Sequence, residues 1–341
     1  MANRYWVGGT GTWDPASTSW STTSGGSPGS AAPLSTDNAI FDANSGGGTV
    51  TVADGPGGSG FPPECANLTC TGFTGSIDCT FFPQLLYVNG DVTLSSGGDF
   101  TLLWVYIMSG SRTLTSVGKT INEIGVEPGA TLTLADDLVD VINGLFVGGT
   151  CTTNNFNVTP AAVSVIGTLN MGSSTFTVSN WYVDTAATIN AGTSTINMIN
   201  ASGLFDGSDQ TYYNLNINSI ELTGHNTFNT ISNSTQPITI DFAAGSTQTV
   251  TNFNVSGTAG NLVTLQSTTP GSQFTLSKAS GTVSRDYLSI KDSAATGGAT
   301  WYAGANSTNV SNNSGWIFTA PPVLPIVISG GVTISGGVTI G

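Results

Sequence analysis

Short runs of alternating apolar and polar residues fill most of the 341-residue chain. The runs "TLTLADDL", "STFTVSNWYV", "PITIDF" and "QFTLSK" place Val, Ile, Leu or Phe at alternate positions, and Gly, Asn, Asp or Ser separate one run from the next. A period of two is typical of half-buried β-strands. No stretch has the spacing of an amphipathic helix longer than two turns. The pattern therefore predicts an all-β fold.

Two all-β architectures fit such a pattern, a β-sandwich and a right-handed parallel β-helix. A sandwich is expected to contain regular two-residue hairpin turns with Asn-Gly or Asp-Gly, and "VNGDV" and "FDGSDQ" are nearly the only such sequences here. Asn ends many runs instead, as in "LNIN" and "NFNV", and Asn forms ladders between stacked coils and tolerates left-handed corners. We therefore predict a β-helix with roughly 20 to 25 residues per coil, about ten to twelve coils and a length on the order of 50 to 60 Å.

Changes in composition divide the chain into three segments. Residues 1–60 contain Trp6, Trp13 and Trp20 at intervals of seven, and a glycine-proline stretch, "GGGTVTVADGPGGSGFPP", crosses the end of this segment. We expect this segment to be a compact cap or attachment module, because glycine and proline clusters mark boundaries. Residues 61–318 contain the succession of strands and are expected to form the β-helix body, a solenoid whose ends need capping.

The third segment, residues 319–341, begins with "TAPPVLP" and continues as "VISGGVTISGGVTIG". Its alternation predicts one more strand with an apolar side, formed by Ile328, Val332, Ile334, Val338 and Ile340. A lone amphipathic strand is unfavourable in water, so another chain is expected to cover it. We predict a clasp that joins three copies of the chain; the alternative is that the strand adds to a sheet of a different protein.

The charge of the chain excludes some classes of partner. Its formal net charge is −14, and its six Lys and Arg residues are scattered along the sequence. Binding to a nucleic-acid duplex needs several phosphates neutralised at once, so no nucleic acid is expected as a partner. No apolar segment has the length of a membrane span, and the N-terminus lacks the apolar core of a signal peptide, so we expect no membrane insertion and folding in a cytosol.

The four cysteines, Cys65, Cys70, Cys79 and Cys151, are expected to be buried free thiols. Folding in a cytosol disfavours disulfides, and Cys65 and Cys70 would face opposite sides of one continuous strand. A zinc site needs close Cys or His pairs, and the single histidine, His225, is far away in sequence. No metal or cofactor is predicted.

The sequence contains two acidic clusters that could be considered for catalysis, Asp136, Asp137 and Asp140 in "LADDLVD" and Asp206 and Asp209 in "FDGSDQ". A glycosidase needs two carboxylates facing one substrate. Adjacent aspartates on a strand point to opposite faces, and "DGSD" is typical of a turn, so we expect solvated turn carboxylates and no catalytic residues. A calcium site in the second cluster is the alternative, although the spacing lacks the EF-hand pattern. His225 is expected to be a polar residue at a strand end.

Three adjacent aromatic pairs are candidates for glycan contact: Trp181 and Tyr182, Tyr212 and Tyr213, and Trp301 and Tyr302. On a strand, one ring of each pair is expected to face the core and the other to face outwards. Exposed rings beside Asn and Thr can stack on sugars. The alternative is that the outward rings pack against a neighbouring loop or subunit.

The two ends of the chain resemble a known group of proteins. "RYWVGGTGTWD", "STSWSTTSGG" and "DNAIFDANSG" near the start, and "DYLSIKDSAATGGATWYAGANSTNVSNNSGWIF" near the end, are similar to the opening and closing segments of β-solenoid surface proteins of tailed bacteriophages. The middle part "NAGTSTINMINASGLFDGSDQTYYNLNI" follows the same pattern more loosely. The resemblance implies a β-helical body and a place on a virion, and it supplies no catalytic residues.

These observations lead to one hypothesis about function. We predict a non-enzymatic structural protein of a bacteriophage virion, a homotrimeric projection that either decorates the capsid or belongs to the tail. Its partners would be other virion proteins and, at the aromatic pairs, a host surface glycan. It would assemble in the host cytoplasm and leave by lysis, with export from a bacterium by a signal-independent route as the alternative. The competing functions are a glycan-cleaving tailspike and a carbohydrate-binding adhesin.

Overall fold

A computed structural model describes residues 1–54, 62–79 and 84–322 of the chain. These residues form β-strands, turns and bends without a helix, and the strands stack in parallel as the coils of a β-solenoid. The predicted parallel β-helical fold is confirmed. No helix in the described part of the chain is long and apolar enough to cross a membrane.

The first of three ladders lies at the N-terminal end, and we call it the N-terminal ladder. Its strands pair in parallel with the strand of the next coil. They are Asn3–Trp6, Asn38–Asp42, Leu68–Thr71, Val92–Thr93, Gly110–Thr115, Ala130–Leu134, Thr150–Thr152, Thr168–Asn170 and Thr188–Asn190. A further strand, Trp20–Ser21, pairs antiparallel with the first of them.

The second ladder, the long ladder, extends through almost the whole solenoid. Its strands are Glu64–Cys65, Leu86–Val88, Trp104–Ile107, Ile121–Val126, Leu138–Val147, Val158–Val165, Asn180–Val183, Gly203–Asp206, Ile220–Thr223, Ile238–Phe242, Val263–Ser267, Leu288–Lys291 and Thr308–Ser311. The described residues thus stack thirteen strands by twelve successive pairings. At the usual separation of parallel strands, the ladder is about 60 Å long.

The third ladder, the C-terminal ladder, begins where Leu138 pairs with Val158 and Val158 with Phe176. It continues through Thr175–Val178, Thr195–Met198, Thr211–Ile217, Thr227–Asn233, Thr247–Asn254, Phe274–Ser277 and Ser293–Thr296. Two three-stranded sheets complete the coils at the ends, one of Gly11–Trp13, Thr49–Val52 and Ser76–Asp78, the other of Thr282–Ser284, Thr300–Tyr302 and Trp316–Ile317.

The number of residues per coil varies more widely than the sequence suggested. Phe205 pairs with Leu222, 17 residues later (222 − 205), whereas Ile240 pairs with Leu265, 25 residues later (265 − 240). Left-handed backbone at corner residues such as Asn154 and Asn155, with φ of 53° and 67°, turns the chain within few residues. Loops that project between strands account for the longer coils.

Side chains alternate between the interior and the surface along each strand, as the sequence pattern predicts. Ile238, Ile240 and Phe242 are buried while Thr239 and Asp241, which lie between them, are partly exposed. One continuous cluster of buried apolar side chains extends along the solenoid from the N-terminal tryptophans to Trp316. The register predicted for these strands is confirmed.

Asparagine ladders join successive coils on the surface, also as predicted. Asn38 donates its side-chain amide to the Oδ1 of Asn3 at 2.8 Å, and Asn67 donates in turn to the Oδ1 of Asn38 at 2.8 Å. The same contact recurs between Asn190 and Asn170 at 2.7 Å. Stacking identical amides one strand apart allows each to donate to its neighbour, which fixes the register of the coils.

A tryptophan cluster closes the N-terminal end of the solenoid. The rings of Trp6 and Trp13 lie 5.2 Å and 5.1 Å from the ring of Trp20, in edge-to-face geometry, and Phe41 packs below all three. Trp20 also belongs to the antiparallel strand that covers the first edge of the N-terminal ladder. The cap therefore shares its sheet and core with the body. The boundary expected near residue 60 falls among residues 55–61, outside the described residues.

The C-terminal end differs from the capped end. Thr308–Ser311 pairs with Leu288–Lys291 along one edge, and no described strand covers its other edge. Val310 is 50% exposed and Ile317 is 37% exposed at this end. The predicted clasp residues, Ile328, Val332, Ile334, Val338 and Ile340, lie outside the described residues. Ala320 and Pro321, near the end of the described residues, line a recess with Arg285 and Gly304.

Candidate functional site

Aromatic side chains line the outer face of the long ladder in one column. Strand register aligns Tyr87 with Tyr106, Tyr106 with Gly125 and Gly125 with Phe146, and then Phe146 with Ser164 and Ser164 with Tyr182. We call Tyr87, Tyr106, Phe146 and Tyr182 the aromatic strip. The rings face outwards because their neighbours along each strand, such as Leu145 and Val147, occupy the core.

The strip is more exposed at one end than at the other. Phe146 and Tyr182 are each 39% exposed, whereas Tyr87 and Tyr106 are partly buried, with ring centroids 6.5 Å apart. Small residues, Gly125 and Ser164, separate the later rings. The exposed half of the strip therefore presents single rings with recesses between them.

A buried carboxylate lies beneath the partly buried end of the strip. The Tyr106 hydroxyl donates to the Oε1 of Glu123 on the neighbouring strand at 2.5 Å. Gly125 makes this contact sterically feasible, because a Cβ at that position would lie 2.4 Å from a carbon of the Tyr106 ring. Glu123 is only 6% exposed although it points away from the core. The ring thus covers both the glycine and the carboxylate.

Burial changes the acidity of both members of this pair. Desolvation raises the pKa of Glu123 above its usual range, and hydrogen bonds from Tyr106 and Asn143 oppose the shift. Desolvation also raises the pKa of Tyr106, and the hydrogen bond to Glu123 adds to it. A hydroxyl that is protonated at neutral pH is thereby held as a donor to the carboxylate.

A groove of about 550 Å³ opens at the corner where the long ladder and the C-terminal ladder diverge. Its walls include Ile142, Pro160, Ala161 and Ile199. Ile142 and Ile199 are exposed, and Ile142 lies in the same strand as Phe146 of the aromatic strip. The groove is mainly apolar and is open to solvent.

An acidic pair further along the same face was not identified from the sequence. Glu221 and Asp241 are register partners on adjacent coils, and both line a polar pocket of about 400 Å³ with Ser202. Gln266 on the next coil donates to the Oδ1 of Asp241 at 2.8 Å. The two carboxylates occupy equivalent outward positions in "IELTG" and "ITIDF", 20 residues apart (241 − 221), so a known coil length would have revealed them.

The three aromatic pairs predicted to contact glycan each divide as expected, with the first ring inside. Trp181, Tyr212 and Trp301 are buried, with Trp181 and Tyr212 in edge-to-face contact at 6.2 Å. Buried rings cannot contact a glycan, which corrects the assignment for these three. Their partners are accessible at the surface. Of these, Tyr182 is exposed in the aromatic strip, while Tyr213 and Tyr302 are partly exposed elsewhere.

The carboxylates of the first acidic cluster hold turns together. Asp136 accepts hydrogen bonds from the backbone N–H groups of Ser116 and Val117, on the preceding coil, at 2.9 Å and 2.6 Å. Asp137 accepts from the backbone N–H of Asn157, on the following coil, at 2.8 Å. The two aspartates therefore point in opposite directions along the solenoid, as expected of turn carboxylates.

The second cluster is also part of a corner. Asp209 has a φ of 61° and accepts a hydrogen bond from the backbone N–H of His225 at 2.5 Å. The Nδ1 of His225 accepts from the backbone N–H of Thr247 at 3.1 Å. These three residues thus link three successive coils. His225 is exposed beside the start of a strand, which confirms its expected position.

The described residues contain neither a cluster of metal-binding side chains nor an exposed thiol. No group of three or more His, Cys, Asp and Glu side chains converges among them. Cys65, Cys70, Cys79 and Cys151 are buried and free, as predicted. Burial raises the pKa of Cys79 and of Cys151 to about 12. These thiols stay protonated and act as small apolar core residues.

Known proteins offer no match from which the function of this chain could be inferred. No protein-family model, curated protein or solved structure matches the chain. The described outer face of the long ladder offers two chemically different regions, the aromatic strip and the pair Glu221 and Asp241. The strip suits an uncharged ligand with flat apolar faces, and the pair suits a cation or a reaction that needs two carboxylates.

Proposed function

We propose that the protein is a non-enzymatic structural projection on the surface of a bacteriophage particle. The observation that supports this best is the solenoid itself, a core continuous from Trp6 to Trp316 with an antiparallel strand covering its first edge. Such a rod is stiff, because every coil is hydrogen-bonded to the next. The likeness of both chain ends to phage β-solenoid surface proteins supports the assignment to a virion.

Locating the protein in particles tests this proposal. Particles from a lysate of the bacterium that carries the gene would be separated on a density gradient and imaged with a labelled antibody. We expect the protein to sediment with intact particles and the label to mark either the capsid or the tail. Protein that remains entirely in the soluble fraction while particles are complete would contradict a place on the virion.

The projection is proposed to be a homotrimer whose chains are joined by residues 327–341. The alternation of Ile328, Val332, Ile334 and the following apolar residues supports a clasp. Protein ending at Pro322 should then be monomeric in light scattering while the full chain is a trimer. A firm trimer of the shortened protein would assign the contacts to the flanks of the solenoid.

A glycan-cleaving enzyme is the second candidate, and the pair Glu221 and Asp241 favours it. Parallel strands place the Cα atoms of register partners about 5 Å apart, so the two carboxylates can face one substrate, as retaining and inverting glycosidases require. Release of reducing ends from host polysaccharide by the full chain, abolished by Glu221→Gln and by Asp241→Asn, would establish this activity. Under the structural proposal, neither the native protein nor the variants release reducing ends.

A further inference from the structure

We propose that the exposed half of the aromatic strip binds an uncharged polysaccharide chain lying along the solenoid axis. Phe146 and Tyr182 are two coils apart in one column, with Ser164 between them. Two strand spacings place these rings about 10 Å apart, a distance comparable with the length of two linked sugar rings. A chain of sugars along the axis would therefore meet one aromatic ring per disaccharide.

The surroundings of the rings match the chemistry of a sugar. Sugar rings carry C–H groups on their faces and hydroxyl groups at their edges, and they stack on aromatic faces while hydrogen-bonding at the rim. Asn143 is exposed three residues before Phe146, and Asn180 is partly exposed two residues before Tyr182. The Nδ2 of Asn143 donates to the Oδ1 of Asn122 at 2.8 Å, and the Oδ1 of Asn180 accepts from the backbone N–H of Leu204 at 3.0 Å. The other amide atoms, Oδ1 of Asn143 and Nδ2 of Asn180, are the polar groups that a stacked sugar could meet.

The charge of this face favours a neutral glycan over an acidic one. No Lys or Arg occurs in the chain between Phe146 and Tyr182, the two exposed rings of the strip. The chain as a whole has a net charge of −14, and Asp206 follows Tyr182 in the same column. An anionic polymer would be repelled with no cation to offset the repulsion.

The same face is less suited to a protein partner. Protein interfaces bury a contiguous apolar patch at their centre. In the strip, Ser164 interrupts the column between Phe146 and Tyr182, and Asn143 is exposed on the first of these strands. Although the groove beside Phe146 is apolar, with Ile142 on the same strand, Ser164 separates the rings of the column itself, as on surfaces that recognise carbohydrate.

Native gels that contain a soluble polysaccharide test the proposal on the full chain. The probes would be dextran, hydroxyethyl cellulose and galactomannan, with polygalacturonate as the charged comparison. We expect at least one uncharged polymer to retard the protein and polygalacturonate not to. Phe146→Ala and Tyr182→Ala should each weaken binding about tenfold, the equivalent of roughly 1.4 kcal/mol, and Tyr182→Phe should preserve it. Tyr302→Ala, at a partly exposed ring away from the strip, is the matched control.

Chain length supplies a second measurement. Calorimetry with oligosaccharides of the polymer that binds should show affinity rising until the chain is long enough to reach both Phe146 and Tyr182. Absence of retardation by all three uncharged polymers would overturn the proposal, as would equal weakening by Tyr302→Ala. Conversion of the native assembly to monomers by Phe146→Ala or Tyr182→Ala would instead identify the rings as a contact between copies. None of these results depends on whether the protein is found on a virion.

Discussion

Tyr106 and Glu123, on neighbouring strands of the long ladder, form a hydrogen bond of 2.5 Å on the outside of the solenoid. The carboxylate is buried there because the Tyr106 ring lies over it and over Gly125, where any larger residue would meet the ring. Outward positions of a solenoid are usually solvated, so this pair is a local exception. It should make stability depend on pH in a defined direction.

The first prediction concerns that pH dependence. The pKa of Glu123 in the folded protein is raised by desolvation above its ordinary value of 4.5. A raised pKa means that the folded state keeps a proton that the unfolded state loses. The stabilising contribution of Glu123 is therefore complete below pH 4.5 and is lost as the pH rises through the folded-state pKa.

Comparison of the native protein with Glu123→Gln isolates this contribution. The melting temperature of the native protein, relative to that of the variant, should be highest in acid and fall as the pH rises from about 4 to about 8. Glu64→Gln, at another carboxylate of the same ladder, serves as control. A difference between native protein and Glu123→Gln that does not vary with pH would contradict the prediction.

A second prediction tests the register of the core. Ile240 is fully buried between Ile238 and Phe242, and Ile240→Asp would place an unpaired charge in the interior. Such a change should cost several kcal/mol and give insoluble protein, because an isolated buried charge is poorly compensated. Thr264→Asp, at an outward position on the adjacent strand, should remain soluble. A soluble Ile240→Asp variant with native melting would show that the register is wrong.

A third prediction concerns a polar contact inside a corner. The side-chain amide of the buried Asn226 donates to Gln248 Oε1 at 3.1 Å and to the carbonyl of Thr223 at 2.7 Å. Asn226→Ala should leave both acceptors without this donor and lower the free energy of unfolding by about 1–3 kcal/mol. Asn252→Ala removes an exposed amide and should have little effect. Chemical denaturation measures both, and equal effects would contradict the role assigned to Asn226.

The fourth prediction separates structural from catalytic carboxylates. Asp136→Asn replaces an acceptor of backbone N–H groups and should lower the free energy of unfolding by about 1–3 kcal/mol. Asp137→Asn and Asp206→Asn should change it less. All three should leave particle assembly and infectivity near the native level. If one of them abolished adsorption to the host with melting unchanged, its carboxylate would have a role beyond the turn.

The local structure of this protein follows largely from its sequence. Alternation in runs such as "PITIDF" predicted the strands and placed Ile238, Ile240 and Phe242 inside. Alternate side chains of a strand point to opposite faces, so burial of the apolar face determines which residues lie in the core. The scarcity of hairpin turns and the recurrence of Asn predicted stacked coils, and the ladder of Asn3, Asn38 and Asn67 confirms the role of Asn.

The tertiary structure decided which residues from different coils become neighbours. Coil lengths along the long ladder, between 17 and 25 residues, depend on corner geometry that the sequence pattern does not specify. For that reason neither the pairing of Glu221 with Asp241 nor the alignment of Phe146, Ser164 and Tyr182 could be predicted. The sequence determined which side chains face outwards, because that depends on neighbours along one strand. Their assembly into a surface depends on register between strands, which is set by the packing of the whole solenoid.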